Sequence, residues 1–379
     1  MRGVSLQFID LQAQRERMGS AVEDAILKVV RSGQYILGPE IATLERQLAE
    51  FCGAKHALTV ANGTDALALG LMAFGVKPRQ AVFVPSFTFA ATGEVVVWLG
   101  ATPIFIDCLP DTFNMDPASL EAGIATAKRL GLEPVGVIPV DLFGLPADYD
   151  ALEPICAAHG LWMMADTAQG FGGVYKGRKT GAIGKIASTS FFPAKPLGCY
   201  GDGGALFFDD DALKEVLVSL RVHGQGTDKY DNVRIGMNGR MDTIQAAVLI
   251  EKLKLFPGEI EARNRIAKRY SDALDKYCIV PRVPDGLVSI WAQYTIRFPD
   301  GRRDEVAAKL KEAGIPTAIY YVKPMHRQTA YARFPVANNG LPVSDRLAGE
   351  VLSLPMHPYL SEADQDRVVA TLRASIEAC

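Results

Sequence analysis

Between residues 57 and 210, short runs of β-branched and aromatic residues alternate with longer stretches of helical periodicity, and no other feature narrows the fold so far. Strands separated by helical crossovers pair in parallel, and helices then cover both faces of the sheet. Most of the runs at 81–85, 102–106, 135–140, 161–165, 187–192 and 205–208 are nearly unbroken in hydrophobic residues, as strands buried on both faces must be. They predict an α/β layered domain around a mainly parallel sheet. At 379 residues, 49% of them hydrophobic, the chain has material for a large core and a length that suggests about two domains.

Apolar residues recur at helical spacing over 241–255, and Pro257 is expected to stop that helix. A domain boundary is expected there. Beyond it, strand-like runs at 294–298 and 316–321 mix with amphipathic patterns at 305–313 and 363–376, which suits a smaller α+β domain. No internal repeat or low-complexity tract interrupts the chain.

A formal net charge of -3 offers no basic field to nucleic acid or to an anionic membrane surface, so any phosphate must be recognised locally. The N-terminal stretch carries Asp10 early and has no uninterrupted apolar core, unlike a secretory signal. Apolar runs such as 95–99 fall far short of the ~20 residues that a spanning helix needs. Cys52, Cys108, Cys156, Cys199, Cys278 and Cys379 are scattered without CxxC spacing, which signals neither a metal site nor a disulfide framework. A reducing cytoplasm is the expected compartment.

Three segments carry chemistry. Val60-Ala61-Asn62-Gly63-Thr64-Asp65-Ala66 joins a strand-like run to an apolar helix. Free N–H groups, the positive end of the helix dipole and a Thr hydroxyl at such a junction hold a phosphate monoester; the same Asn62 or Thr64 serves equally as a plain helix cap. The buried run ending Ala165-Asp166-Thr167-Ala168-Gln169 delivers an acid and an amide at a strand's carboxyl end, where open α/β sheets bind ligands. Asp166 suits a protonated pyridine nitrogen and Gln169 a ring hydroxyl, although an Asp at this place also caps turns. Lys195, in Ser190-Phe191-Phe192-Pro193-Ala194-Lys195-Pro196-Leu197-Gly198, lies among apolar and proline residues with no neighbouring acid. An isolated loop lysine is a solvated charge; in these surroundings the amine loses its proton readily and serves as a Schiff-base nucleophile.

Together and in this order, the segments resemble the DegT/DnrJ/EryC1/StrS family of sugar aminotransferases. The likeness runs from GQYILGPE at 33–40, through SFTFAAT at 86–92, to MHPYL at 356–360. It implies the fold type I, aspartate aminotransferase-like architecture, with residues 1–255 as the large cofactor-binding α/β domain and 256–379 as the small C-terminal α+β domain. The implied cofactor is pyridoxal 5'-phosphate, passing through the pyridoxamine form. By motif position Lys195 is the Schiff-base lysine and general acid/base, Asp166 the pyridine-nitrogen partner, Gln169 the ring-hydroxyl partner, and Gly63, Thr64 and Ser190 the phosphate holders. Phe89 falls where the family sets an aromatic ring over the cofactor, a place an ordinary core aromatic would also fill. Asn238 matches a residue that reaches the neighbouring subunit's cofactor phosphate, which implies a homodimer with shared active sites. Relatives that dehydrate sugars carry His in place of the lysine; Lys195 favours amino transfer.

Segments 188–207 and 223–247 resemble the branch that aminates C3 of UDP-2-acetamido-2-deoxy-3-oxo-glucuronate, with glutamate as donor, in O-antigen synthesis. Uronate and glutamate both bring carboxylates, which makes Arg240 the candidate cation. Tyr320, Tyr321 and His326 border the acceptor in the family; adjacent tyrosines in a strand point to opposite faces, so at most one of them faces a given wall. Two alternatives stand beside this reading: C3 or C4 amination of another nucleotide-linked keto-sugar, and a non-catalytic sensor built on the same fold.

Overall fold

The computed structural model describes residues 6–228 and 230–379. Seven strands form the central sheet: β1 (His56–Val60), β2 (Gln80–Pro85), β3 (Thr102–Ile106), β4 (Glu133–Val137), β5 (Trp162–Asp166), β6 (Ile186–Ser190) and β7 (Gly204–Phe208). Their spatial order is β1-β7-β6-β5-β4-β2-β3. The pairings from β6 to β3 are parallel, while β7 runs antiparallel to both neighbours. The expected mainly parallel sheet is therefore present. The strand expected over 135–140 ends earlier, at Val137, and its last residues become the approach to the site.

Every residue of β2 and β7 is buried, which accounts for their unbroken hydrophobic sequence. Helices α1 (Gly63–Ala73) and α2 (Ala91–Trp98) pack beside the sheet, with Leu67, Leu69, Val95 and Val96 in its core. Each such side chain contributes about 1.5–3 kcal/mol when taken fully out of water.

The helix expected to end before Pro257 does not. Helix α3 runs unbroken from Thr243 to Leu274 with Pro257 inside. Proline removes one intrahelical hydrogen bond, but the helix buries Leu249 and Phe256 in the sheet's core and Ile266, Tyr270 and Leu274 in a second core, and packing on both sides carries it across the defect. That second core gathers α3 with strands β8 (Tyr294–Arg297) and β9 (Val351–Leu354), which pair antiparallel, and with the helices Arg303–Glu312 and α4 (Glu362–Glu377). Leu6 also lies in it. The run at 316–321 is not a strand: Ala318 makes a single bridge to Ser353, and the chain then turns through a cis Tyr320–Tyr321 bond.

A third apolar cluster ties the two regions at the strands' carboxyl ends. Phe87, Phe113, Val140, Leu142 and Phe143 meet Leu347 and Val351 there, with Tyr320 and Tyr321 packed against them. Beside it Asp107, just past β3, accepts from the Ser344 N–H at 2.7 Å and the Val343 N–H at 2.9 Å. A carboxylate at the first turn of the Pro342–Glu350 helix satisfies its free donors and complements its dipole, which pins that helix to the sheet.

Candidate active site

β5 carries Met163, Met164 and Ala165 through the core and delivers Asp166 opposite Ser188 of β6. Asp166 is buried. Its Oδ2 accepts from Thr92 Oγ1 at 2.9 Å and its Oδ1 from the Ala168 N–H at 3.1 Å. Burial pushes the carboxyl's pKa up, while the bonds from Ala168 and Thr92 and the charge of Lys195 pull it down. The net direction is upward, and the two donors and the nearby lysine limit the rise.

Lys195 sits half-buried in the loop after β6, where its N–H closes a turn on the Phe192 carbonyl at 2.8 Å. Burial lowers the amine's pKa and Asp166 opposes that shift. The lysine has no acid near it in sequence; the sheet supplies one by setting β5 beside β6.

The anion cradle lies at the start of α1. Asn62 caps this helix, its Oδ1 accepting from the Asp65 N–H at 2.8 Å, so the plain capping role belongs to Asn62. That leaves the N–H groups of Gly63 and Thr64 without an acceptor among the described residues. Gly63 packs so tightly on β6 that a Cβ there would fall 2.6 Å from Ser190 Cβ. The close approach brings Gly63, Thr64 and Ser190 to one place and explains the glycine.

Gln169 is oriented from both ends of its amide. Its Oε1 accepts from the Phe143 N–H at 2.8 Å, and its Nε2 donates to Tyr321 Oη at 3.1 Å. Tyr321 thereby keeps its own hydroxyl proton to donate, and its ring meets Phe87 edge-on at 5.9 Å. Tyr320 faces the N-terminal segment instead, 6.5 Å from the Phe8 ring.

Phe89 is 59% exposed, so its ring is accessible to a ligand. Asn238 and Arg240 line an open cleft of about 470 Å³ together with Ala61, Asn62, Gly201 and Asp202, so the cleft reaches the residue that opens the cradle. Arg240 Nε is buried without a hydrogen-bond partner among the described residues, a donor left unpaired in the wall of that cleft. His326 is not among the residues that line this cleft. Its Nδ1 meets Ser86 Oγ at 2.7 Å and its Nε2 meets Asp345 at 3.1 Å. Both ring nitrogens are spent within the chain, and burial lowers the ring's pKa.

Thr92 is the residue whose role sequence patterns did not reveal. It falls in SFTFAAT, but nothing local says that a hydroxyl on α2 meets a carboxylate on β5.

A lysine and a carboxylate sharing the carboxyl end of a mainly parallel sheet, beside a helix-start anion cradle, define an α/β aminotransferase of fold type I. The chain belongs to the DegT/DnrJ/EryC1/StrS aminotransferase family, whose sequence pattern matches residues 16–373. A UDP-2-acetamido-2-deoxy-3-oxo-D-glucuronate aminotransferase of Pseudomonas aeruginosa is 44% identical over 97% of this chain and 99% of its own. A DegT/DnrJ/EryC1/StrS aminotransferase from Brucella abortus superposes with a TM-score of 0.96 at 54% identity, over 97% and 99% of the two chains. NtdA of Bacillus subtilis, solved with bound cofactor PMP, superposes at 0.88 with 26% identity, over 98% of this chain and 83% of its own.

Proposed function

We propose that this protein transfers an amino group from glutamate to the keto carbon of a nucleotide-linked sugar, with C3 of UDP-2-acetamido-2-deoxy-3-oxo-glucuronate as the acceptor. The observation that carries the reading is that Lys195 and Asp166 share one end of the sheet, close enough for each charge to oppose the other's burial; the 44% identity to the Pseudomonas enzyme points to the acceptor. The residues present fit pyridoxal phosphate: a cradle with free N–H groups for its phosphate, an anion for its ring nitrogen, a fixed amide beside it, and an uncovered phenyl ring. When bound, that cofactor supplies an electron sink for the carbon that gains or loses the amino group.

The chain's own side chains do the rest. Lys195, neutral more easily than an exposed lysine, is both the covalent anchor and the base that takes the proton from the donor's Cα and returns one to the acceptor carbon. Asp166 would hold a proton on the cofactor's ring nitrogen. Gly63, Thr64 and Ser190 would hold its phosphate, Gln169 would bond the ring hydroxyl, and Phe89 would fix the ring's tilt. Arg240 takes a carboxylate of uronate or glutamate and Tyr321 borders the acceptor, whereas Tyr320 lies against Phe8 and His326 is held by Ser86 and Asp345.

The same reading includes a homodimer in which Asn238 and Arg240 serve the neighbouring site. Supporting it, Val233 and Ile235 on the preceding loop are 54% and 90% exposed, apolar surface that a second copy would cover. Residues 1–255 and 256–379 would act as the large and small domains, each with its own apolar cluster, although α3 bridges both. No helix among the described residues is long and apolar enough to cross a membrane, in keeping with a cytoplasmic enzyme of lipopolysaccharide O-antigen biosynthesis.

The test is an absorbance spectrum of the purified protein with pyridoxal phosphate before and after glutamate, followed by a panel of keto-sugars. A visible band that glutamate bleaches, and that the UDP-3-keto-uronate restores, is the expected outcome. Restoration only by a 4-keto-6-deoxy sugar would refute the acceptor, and a protein that takes up no cofactor would refute the enzyme.

A further inference from the structure

Asp141 lies directly behind Asp166 and has no part in the roles assigned above. It is fully buried. Its N–H donates to the Asp166 carbonyl at 3.0 Å, and the Asp166 N–H donates to the Pro139 carbonyl at 2.8 Å, so the two acids sit on backbones hydrogen-bonded to each other. The Asp141 carboxyl is lopsided. Oδ1 accepts twice, from the Ala147 N–H at 2.8 Å and the Tyr149 hydroxyl at 2.7 Å. Oδ2 has no hydrogen-bond partner among the described residues, and it is sealed by Gly170, where a Cβ would fall 2.8 Å from it and 2.3 Å from Asp141 Cβ. No donor and no solvent reach that oxygen.

A charge spread onto an oxygen with no donor and no water is costly in a low-dielectric interior. Asp166 differs in each respect, since each of its oxygens has its own donor and Lys195 stands nearby. Two carboxyls in one dry space cannot both ionise cheaply, and the better solvated of the pair keeps the charge.

We propose that Asp141 is a positioning residue that carries the proton of an Asp141–Asp166 pair, so that the pair's single negative charge stays on Asp166. The groups facing Asp141 agree. Tyr149 donates from the helix that follows, Asp166 lies ahead on β5, and Arg178 and Tyr175 act only at one remove through Tyr149. Burial raises the Asp141 pKa to about 7, with the Tyr149 and Ala147 bonds opposing the rise and Asp166 adding to it. Asp141 thus loses its proton near neutrality, and a second charge behind Asp166 then makes that carboxylate bind protons more strongly.

The inference rests on Asp166 serving the ring nitrogen, but its test does not need amino transfer. Infrared spectra of the cofactor-loaded protein, taken from acid to alkaline pH, should show a protonated-carboxyl stretch that fades through about pH 7. Asp141→Asn should lack that band. Tyr149→Phe removes a bond that favours the ionised form, and should move the fading upward by about one pH unit. If Asp141→Asn does not fold, Tyr149→Phe decides alone. A band that persists in Asp141→Asn, or fades at an unchanged pH in Tyr149→Phe, overturns the proposal while leaving the aminotransferase reading standing. A merely structural Asp141 would shift the melting temperature in both variants and leave the band's titration where it was.

Discussion

Replacing Thr92 with Val removes one hydroxyl and almost nothing else. The two side chains have nearly the same shape, Thr92 is 1% exposed and Asp166 is 5% exposed, so no water replaces the lost donor. The 2.9 Å bond from Oγ1 to Asp166 Oδ2 is a charge-assisted one, and such bonds contribute about 1.5–3 kcal/mol. Its loss therefore raises the Asp166 pKa further. The sign follows from the acceptor: the hydroxyl stabilises the carboxylate form only, so without it the acid holds its proton to higher pH. If the cofactor's ring nitrogen is held by ionised Asp166, its affinity should fall, by at most about ten- to a hundredfold, the equivalent of the lost bond. The acidic limb of the activity profile should move to higher pH. Titration of the protein with pyridoxal phosphate reads the first effect, and turnover against pH reads the second. Thr92→Ser restores the hydroxyl and should restore most of both. A Thr92→Val protein with unchanged affinity and an unmoved pH profile would refute the argument that Thr92 holds Asp166 ionised.

Lys195→Ala should abolish turnover, yet shift the unfolding free energy by no more than about 1 kcal/mol, because the loop loses a nucleophile and no core side chain; transamination at the wild-type rate would remove Lys195 from its role. Arg297 binds Glu350 through Nε and Nη2 at 3.0 and 2.8 Å in the small core, so Glu350→Ala should cost about 3–5 kcal/mol in a urea titration by stranding a buried cation. His357 is buried, and burial lowers its pKa to about 4. The unfolded chain therefore takes up a proton that the folded one refuses, so stability present above about pH 6.5 should fall by about 3 kcal/mol as the pH drops through 4. His357→Gln should flatten that slope in melts followed across the range.

Much of the site is local in the chain, and so was visible there. Asp166 and Gln169 follow a hydrophobic strand by one and four positions, and Gly63 and Thr64 open a helix. Lys195 stands between two prolines. Such patterns record what the backbone does within a few residues, and strand period, helix start and strand end are set at that range. The same reasoning failed wherever distant packing overrode it. Pro257 is a local stop signal, and only two cores on one helix explain why α3 passes through it. The run at 316–321 has the composition of a strand but no strand to pair with beyond a single bridge.

By itself, then, the sequence determined the α/β layering, the order of the strands along the chain and the identity of the chemical groups that the strands deliver. The tertiary structure decided which groups meet: Thr92 and Asp166, 74 positions apart; Gln169 and Tyr321, 152 apart; and Ser86 and His326, 240 apart. Hydrogen bonds between such partners leave no periodicity or spacing in the chain. The direction of an amide, the tie of His326 to Ser86 and Asp345 and the sealed oxygen of Asp141 arise only when the sheet, the long helix and the small core close on one another.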